Sequence, residues 1–331
     1  MSQKQASNES SLSSNKSSET ETESNASDDT SNIVLAVASR ESSLPAPIDI
    51  NINFAEKITL PELLWHNYEK LPNKIKLSNT GETVILSAKW PGKEPPYLEG
   101  GPLEGKYMFS QLHFHWGNTA VEGSEHTIDG VHLPLEMHIV HFNNAFKSQE
   151  EALQHVGGVV SLVYFFNLKS SPNEFIKPVI GNLKKIVFPD SAFKPNPFPI
   201  VNLFHTFTND YFLYWGSTRS ASRSHPILWL ISRTQECIDF QQLIQFRQLL
   251  DQRMRVIQHE PTPVAALGER HLYHVNPLAE CCNSTLSVLP HSRYRKDCWL
   301  VDRVNIDIGS PGGCKQLIEA LRKEMKSKVE R

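Results

Sequence analysis

The sequence lacks long apolar runs, and neither sign of charge is in strong excess. Its 331 residues contain no run of about 18 apolar residues, the length at which a membrane-spanning helix is expected. The formal net charge is −3 at pH 7, whereas a nucleic-acid-binding face would be strongly basic. The early apolar stretch Ile33 to Ala38 is short and follows no basic segment, so we expect no secretory signal. We therefore expect no nucleic-acid partner and no transmembrane segment.

Cysteine is also scarce, and its distribution is informative. The chain has five cysteines, an odd number, and all of them lie late in the sequence. A small secreted domain stabilised by disulfides would have an even set distributed through the fold. We therefore expect a reducing, cytoplasmic environment.

Composition divides the chain into three parts. Residues 1–42 are rich in Ser, Asn, Thr and acidic residues and contain no aromatic residue. Such a segment cannot bury enough apolar surface to fold, so we predict a disordered tail, which either has no specific role or serves as an arm for a protein partner. Residues 43–277 form the predicted domain. Residues 278–331 form a C-terminal extension, in which the apolar spacing around Leu317 and Leu321 predicts an amphipathic helix.

Within the predicted domain, short apolar runs are separated by Gly, Pro and Asn. Runs that are rich in aromatic and β-branched residues predict strands, and the clearest cover residues 83–87, 107–116, 136–142 and 159–168. Few helices are predicted. One begins at the capping pattern Ser171 to Glu174 and another at Asp239. The pattern therefore indicates a predominantly β (α+β) fold, with a large sheet and short peripheral helices.

Six of the fourteen histidines lie within residues 113–141. In a strand, side chains alternate between the two faces of the sheet, so Gln111, His113 and His115 share one face. A single His-x-His pattern is a weak signal, because two partly buried histidines are more common than a metal site.

A second predicted strand strengthens the metal interpretation. In this strand Glu136 and His138 share one face, and a neighbouring strand lies only about 4.8 Å away. Two such strands can bring three imidazoles together, and three histidines leave the fourth tetrahedral position of zinc open, as in catalytic sites. Gln111 and Glu136 each precede a histidine by two residues and can orient it. A structural zinc would need a fourth ligand, usually cysteine, and no cysteine lies within a hundred residues of His115.

Three segments resemble the zinc-binding segments of the α-class carbonic anhydrases in type, order and spacing. They are QLHFHWG at residues 111–117, GSEHT at residues 123–127 and EMHIVHF at residues 136–142. Shorter matches extend the resemblance from about residue 43 to about residue 277. It implies a single domain with a large twisted, mixed central β-sheet and zinc at the base of a conical cleft.

The resemblance also implies roles for individual residues. It implies that zinc is held by His113, His115 and His138, and that Gln111 and Glu136 orient these ligands. The implied reaction, a lyase reaction, is the reversible hydration of carbon dioxide to bicarbonate and a proton. Val140 and Trp229 match the apolar wall of the substrate pocket, and Glu125 matches the catalytic glutamate. We expect His126 and His141 to form buried hydrogen bonds rather than to bind metal.

The segment that should orient the attacking oxygen departs from the family pattern. Family members carry Ser-Leu-Thr-Thr-Pro-Pro here, and its first threonine accepts a hydrogen bond from the attacking hydroxide and donates one to the glutamate matched by Glu125. This chain reads GSTRSAS over residues 216–222. Ungapped alignment to Trp229 places Arg219 at the threonine position, whereas a shift of one residue places Thr218 there. Both alignments remain open, so both residues are candidates for the substrate pocket.

A second departure concerns proton transfer. Glu82 occupies the position of the family's proton-shuttle histidine, and a carboxylate with a pKa near 4.3 relays protons poorly at neutral pH. We therefore expect a carbonic anhydrase with reduced turnover. The alternative is a weakly active or inactive binding protein that has retained structural zinc and uses its cleft or tails for partners.

Overall fold

The structure is a computed structural model that describes residues 33–92, 95–220, 223–257 and 262–277. The strands are β1 (Asp49–Ile50), β2 (Ala55–Ile58), β3 (Leu63–His66), β4 (Lys74–Asn79), β5 (Val84–Lys89), β6 (Tyr97–Gly100), β7 (Leu103–Trp116), β8 (Thr127–Ile128), β9 (Val131–His132), β10 (Leu135–Asn143), β11 (Val159–Lys169), β12 (Ala192–Phe193), β13 (Tyr211–Ser220), β14 (Arg223–Ser232), β15 (Glu236–Asp239) and β16 (Leu272–Val275). The α-helices are α1 (residues 33–41), α2 (Gln149–Ala152), α3 (Lys177–Leu183) and α4 (Phe240–Phe246).

One sheet of 13 strands organises the molecule. Its main path runs β12-β4-β5-β7-β10-β11-β14-β13-β16-β2, and β3, β6 and β15 attach beside it. Most neighbouring pairs are antiparallel, but β11 pairs in parallel with both β14 and β15, and β16 pairs in parallel with β2. The prediction of a predominantly β fold with a large mixed central sheet and short helices is therefore confirmed.

The two faces of the sheet bury different sets of side chains. The larger core includes Leu112, Phe114 and Ile139, which alternate with the histidines along β7 and β10. The smaller core includes Val140 and Trp229 on the opposite face. Because the strands alternate regularly, the polar side chains of the site lie on the face of the smaller core.

The predicted strands are confirmed, although each is one to four residues longer or shifted at its ends. The helix predicted from Asp239 is also confirmed: the Asp239 side chain accepts from the Gln242 amide, and the Gln242 side chain caps in return. The predicted start of the earlier helix at Ser171 is wrong. Asn173 instead donates to the Cys237 carbonyl and pairs with Gln242, so these tertiary contacts hold the segment in a turn, and α3 begins at Lys177.

The N-terminal boundary also differs from the prediction. The predicted tail covered residues 1–42, but residues 33–41 form α1, in which Val34 and Ala38 are buried in the larger core. These residues are four apart, so they lie on one helical face. The indole N–H of Trp215 donates to the Val34 carbonyl at 2.9 Å. The rest of the predicted tail and the extension at residues 278–331 lie outside the described residues. Within the described part of the chain, no helix has the length and apolar character needed to cross a membrane.

Candidate metal centre

The three predicted histidine ligands come together on neighbouring strands. β7 and β10 are antiparallel, and their register places His113 directly opposite His138, with His115 opposite Glu136. The ring centroids are 5.1 Å apart for His113 and His115, 4.9 Å for His113 and His138, and 4.6 Å for His115 and His138. One nitrogen from each ring lies within 4.8 Å of the other two, close enough for the three to share one metal ion.

The predicted orienting residues contact two of these rings. Nδ1 of His113 donates to Oε1 of Gln111 at 3.1 Å, and Nε2 of His138 donates to Oε1 of Glu136. These contacts leave Nε2 of His113 and Nδ1 of His138 as the candidate ligand atoms. Acceptors behind metal-binding imidazoles fix the tautomer and increase ligand basicity.

The electrostatics favour neutral imidazoles, which metal binding requires. Burial lowers the pKa of His113 well below its ordinary value, and the neighbouring rings of His138 and His115 lower it further. Burial also lowers the pKa of His138 to about 4, although the Glu136 carboxylate opposes this shift. Both groups therefore hold a free electron pair at neutral pH. A set of three imidazole nitrogens suits zinc and similar divalent transition metals.

Glu136 belongs to a buried hydrogen-bond chain that runs beneath the three rings. It accepts from Nδ1 of His126 at 2.7 Å and from the His126 amide at 2.9 Å. Nε2 of His126 in turn accepts from the Tyr214 hydroxyl at 2.6 Å. Burial opposes ionisation of Glu136, but its two histidine partners together hold its pKa below the ordinary range. Both ring nitrogens of His126 are therefore committed to hydrogen bonds, which favours the His113, His115 and His138 group as the metal centre.

His141 is also buried, but it lies in a different environment. Its Nε2 contacts the Tyr68 hydroxyl and its Nδ1 donates to the Ile139 carbonyl at 3.1 Å. Burial lowers its pKa to about 3. This ring is thus neutral and hydrogen-bonded within the sheet, away from the three-histidine group.

Glu125 lies beside the third ring of the group. Its Oε1 is 3.5 Å from Nδ1 of His115, and its Oε2 accepts from the Thr262 amide at 3.3 Å. The carboxylate is buried. This places a buried acceptor next to the three-histidine group, whereas its proposed catalytic role stays a prediction.

The two predicted wall residues also lie near the rings. The Trp229 ring centroid is 5.2 Å from those of His138 and His126, and the indole stacks on Tyr214 at 6.2 Å. Val140 follows His138 by two residues on the same face and belongs to the same apolar cluster as Trp229. An apolar surface therefore borders the three-histidine group, and its use as a substrate pocket stays a prediction.

The segment with the two alignments forms a β-hairpin. β13 pairs with β14 along its whole length, and Thr218 lies opposite His225, while Arg219 pairs with Ser224. No proline occurs between Gly216 and His225, so every residue there keeps the N–H that a strand ladder needs. Side-chain alternation places Thr218 on the face of Tyr214 and Trp229. The Arg219 side chain lies outside the described residues. Whether Thr218 or Arg219 orients the attacking oxygen therefore stays a prediction.

Glu82 is exposed in the turn between β4 and β5. Gly81 beside it has a positive φ of 86°, and its amide donates to the Asn79 side chain at 2.8 Å. An exposed side chain in this turn is accessible to solvent protons. The shuttle position of Glu82 stays a prediction.

Sequence reasoning missed two residues of this region, Tyr214 and Ser161. Tyr214 completes the hydrogen-bond chain through His126, and Ser161 lies opposite both Val140 and Trp229. Strand alternation could have assigned each to a face. Identifying their neighbours, however, requires pairings between residues that are far apart in the sequence, such as Ser161 with Trp229 and His126 with Tyr214.

Comparison with known proteins agrees with this geometry. A family model described as eukaryotic-type carbonic anhydrase matches residues 36–276. Carbonic anhydrase 15 of Mus musculus is 27% identical over 256 residues, which cover 74% of this chain and 78% of the relative. Mitochondrial carbonic anhydrase 5B of Mus musculus is 36% identical over 204 residues, 61% of this chain and 63% of the relative. The same enzyme of Rattus norvegicus is 37% identical over 154 residues, so that match spans about half of each chain (46% and 48%). The chain belongs to the eukaryotic-type carbonic anhydrase family.

Proposed function

We propose that this protein catalyses the zinc-dependent, reversible hydration of carbon dioxide to bicarbonate and a proton. The observation that carries the proposal is the group of three imidazoles whose nitrogens lie within 4.8 Å of one another. Zinc held by three histidines with a fourth position open lowers the pKa of a bound water to near 7. His113, His115 and His138 would hold the ion.

The surrounding residues have separate tasks in this proposal. Gln111 and Glu136 keep two of the rings in the tautomer that presents a ligand nitrogen to the ion. Val140 and Trp229 would hold carbon dioxide against an apolar surface and exclude competing water. These tasks need no movement of the backbone, because all four side chains lie on packed strands. A site built on regular strands is rigid, which suits catalysis by positioning.

The remaining two tasks are to orient the attacking oxygen and to export the proton. Thr218 is the preferred residue for orientation, because it lies on the metal-side face and its hydroxyl can both donate and accept. The Thr218 hydroxyl would donate a hydrogen bond to the Glu125 carboxylate. Glu82 would transfer protons from the site to solvent, and a carboxylate is a weak proton relay at neutral pH. For these reasons we propose a turnover below that of a family member with the usual threonine and histidine.

A stopped-flow carbon dioxide hydration assay on the zinc-loaded chain tests the proposal. We expect a rate above that of buffer, abolished in His113→Ala. His155→Ala is the matched control, because His155 is exposed and, among the described residues, its ring stacks on Phe146 alone. The rate of this variant should equal that of the wild type. A wild-type rate equal to buffer, with one zinc ion bound per chain, would reject catalysis.

A second candidate function is supported by the departures at Glu82 and at residues 216–222. In this alternative the protein retains zinc for structure and binds a protein partner through its N-terminal tail. A purified partner would bind the full chain but not a chain that begins at residue 33, which keeps α1 intact. Loss of binding on removal of residues 1–32, together with absence of hydration activity, would favour this alternative over the enzyme.

A further inference from the structure

Ser161 occupies the middle of the apolar surface beside the metal centre. In the sheet register it lies opposite Val140 of β10 on one side and Trp229 of β14 on the other. Its strand neighbours Val159 and Val163 face the smaller core, so Ser161, two residues from each, faces the same way. A serine thus interrupts a row of large apolar side chains.

The Ser161 hydroxyl is buried without a hydrogen-bond partner among the described residues, and the same is true of the Trp229 indole N–H. Only 3% of Ser161 and 6% of Trp229 are exposed. Buried polar groups are normally paired, and leaving one unpaired is unfavourable. Two such donors on adjacent strands, facing the same core, indicate a ligand that supplies the missing acceptor.

Both donors lie close to the three imidazoles. Val163 is directly opposite His138, so Ser161, two residues along β11, is the diagonal neighbour of His138, at about 7–8 Å between backbone positions. The Trp229 ring centroid is 5.2 Å from that of His138. A small molecule bound at the metal centre would therefore lie within reach of both groups.

The chemistry of the donors specifies the kind of ligand. Carbon dioxide is uncharged and accepts hydrogen bonds weakly, so a wholly apolar surface serves it well. An anion with carboxylate-like oxygens accepts strongly from O–H and N–H groups, and hydrogen bonds to charged groups are about twice as strong as neutral ones. Serine and tryptophan donors therefore favour the anionic partner of the reaction.

We propose that Ser161 Oγ and Trp229 Nε1 donate hydrogen bonds to a small planar oxyanion, bicarbonate, at the metal centre. The identity of the anion rests on the proposed function. Ser161 is then a specificity-determining residue, which strengthens binding of bicarbonate relative to anions that have no second oxygen to accept from it.

Titration of the full chain loaded with cobalt(II) tests this proposal, because cobalt in a three-histidine site has visible absorption that responds to anion binding. The probes are bicarbonate and chloride. Ser161→Ala should weaken bicarbonate binding about tenfold and leave chloride binding within about twofold. Ser161→Thr should restore most of the loss, because it returns the hydroxyl. Trp229→Phe keeps an aromatic ring without the N–H and should weaken bicarbonate binding by a similar factor.

Ser232→Ala is the matched control. Ser232 is equally buried, but its hydroxyl donates to the Thr234 carbonyl at 2.8 Å and contacts Nε2 of His205 at 3.0 Å. Its replacement should destabilise the fold and leave both anion affinities unchanged. Ser161→Ala removes a hydroxyl that has no hydrogen-bond partner among the described residues, so the melting temperature of this variant without anion should not fall. If the alanine variant aggregates, Ser161→Cys, which keeps the shape with a weaker donor, gives the same comparison.

The outcomes separate this proposal from the proposed function. Equal bicarbonate affinity in wild type and Ser161→Ala would overturn the inference even if the zinc-loaded enzyme hydrates carbon dioxide. Equal weakening of bicarbonate and chloride would also overturn it, because the metal centre itself would have changed. Tighter bicarbonate binding in the alanine variant would likewise overturn the inference, because the hydroxyl would then bind water in preference to bicarbonate. An inactive zinc-loaded enzyme with Ser161-dependent bicarbonate binding would reject catalysis alone.

Discussion

Glu136 accepts a hydrogen bond from Nε2 of His138 at a position where both side chains are buried. The same carboxylate oxygen also accepts from His126, which is linked to Tyr214. One ring of the three-histidine group is therefore connected to a buried hydrogen-bond chain that extends across the sheet to β13. Changes in this chain should reach the metal through ring orientation and basicity rather than by direct contact.

We predict that Glu136→Gln weakens zinc binding by about 10–100-fold, since the neutral amide supports the His138 ring less well than a carboxylate. Competition with a chromogenic chelator measures the affinity. Glu174→Gln is the matched control, because Glu174 pairs with Lys177 on the surface, and its zinc affinity should equal that of the wild type. Equal affinities in wild type and Glu136→Gln would contradict the role of Glu136 as an orienting residue.

We predict that Thr218→Val lowers kcat/KM for carbon dioxide hydration by at least about tenfold, which corresponds to one lost hydrogen bond in the transition state. The valine keeps the β-branched shape and removes only the hydroxyl. If Thr218 orients the attacking oxygen, Arg219→Ala should change kcat/KM by less than about twofold. Stopped-flow kinetics of both variants check this. A large loss of kcat/KM in Arg219→Ala with little change in Thr218→Val would assign the orienting role to Arg219.

We predict that Glu82→His raises kcat in weak buffer, because a histidine with a pKa near 6.5 relays protons at neutral pH. The change is in an exposed turn and should leave stability unchanged. Glu82→Gln is the control, since it also removes the carboxylate but adds no proton relay, and its kcat should stay at the wild-type value. In concentrated imidazole buffer the advantage of histidine should disappear. An identical kcat for all three proteins in weak buffer would show that proton export does not limit turnover.

We predict that His141 makes the metal-free protein less stable in acid. Its pKa is about 3 in the folded protein and about 6.5 when unfolded, so between these values only the unfolded chain binds the proton. The free energy of unfolding is therefore highest above pH 6.5 and falls as the pH is lowered. By pH 5 the contribution of this one group amounts to a loss of about 2 kcal/mol.

Urea unfolding at pH 7.5 and pH 5 measures this effect. In His141→Gln the difference between the two pH values should be smaller than in the wild type by about 2 kcal/mol. The comparison of differences removes the contribution of the other buried histidines, which both proteins share. An unchanged difference would show that His141 is already protonated in the folded protein.

Much of the site could be predicted from local alternation. The spacing of His113 and His115, with His138 on a second strand, was enough to predict that three rings meet, because alternation fixes the face of each residue. The fold class followed from the same pattern. Prediction succeeded where the signal lies within one strand or between two strands that are close in sequence.

Elsewhere, contacts between distant residues decided the outcome. Ser171 to Glu174 has a helix-start pattern, but the Asn173 side chain donates to the Cys237 carbonyl and the Asn173 amide donates to the Gln242 side chain, both more than sixty residues away. The role of residue 218 depends on its pairing with His225, which no local pattern reveals. The α1 segment was hidden by the polar composition around it, although Val34 and Ala38 have helical spacing.

Helix α1 also fastens the two ends of the folded region together. The buried Glu41 carboxylate accepts from Nδ1 of His271 at 2.5 Å and from the His271 amide at 3.2 Å, directly before the last strand of the sheet. A shortened protein that starts after Glu41 would uncover the Trp215 side of the core. It would also remove the carboxylate that accepts from Nδ1 and from the amide of His271. Residue 33 rather than residue 43 is therefore the practical starting point for an independently folding unit.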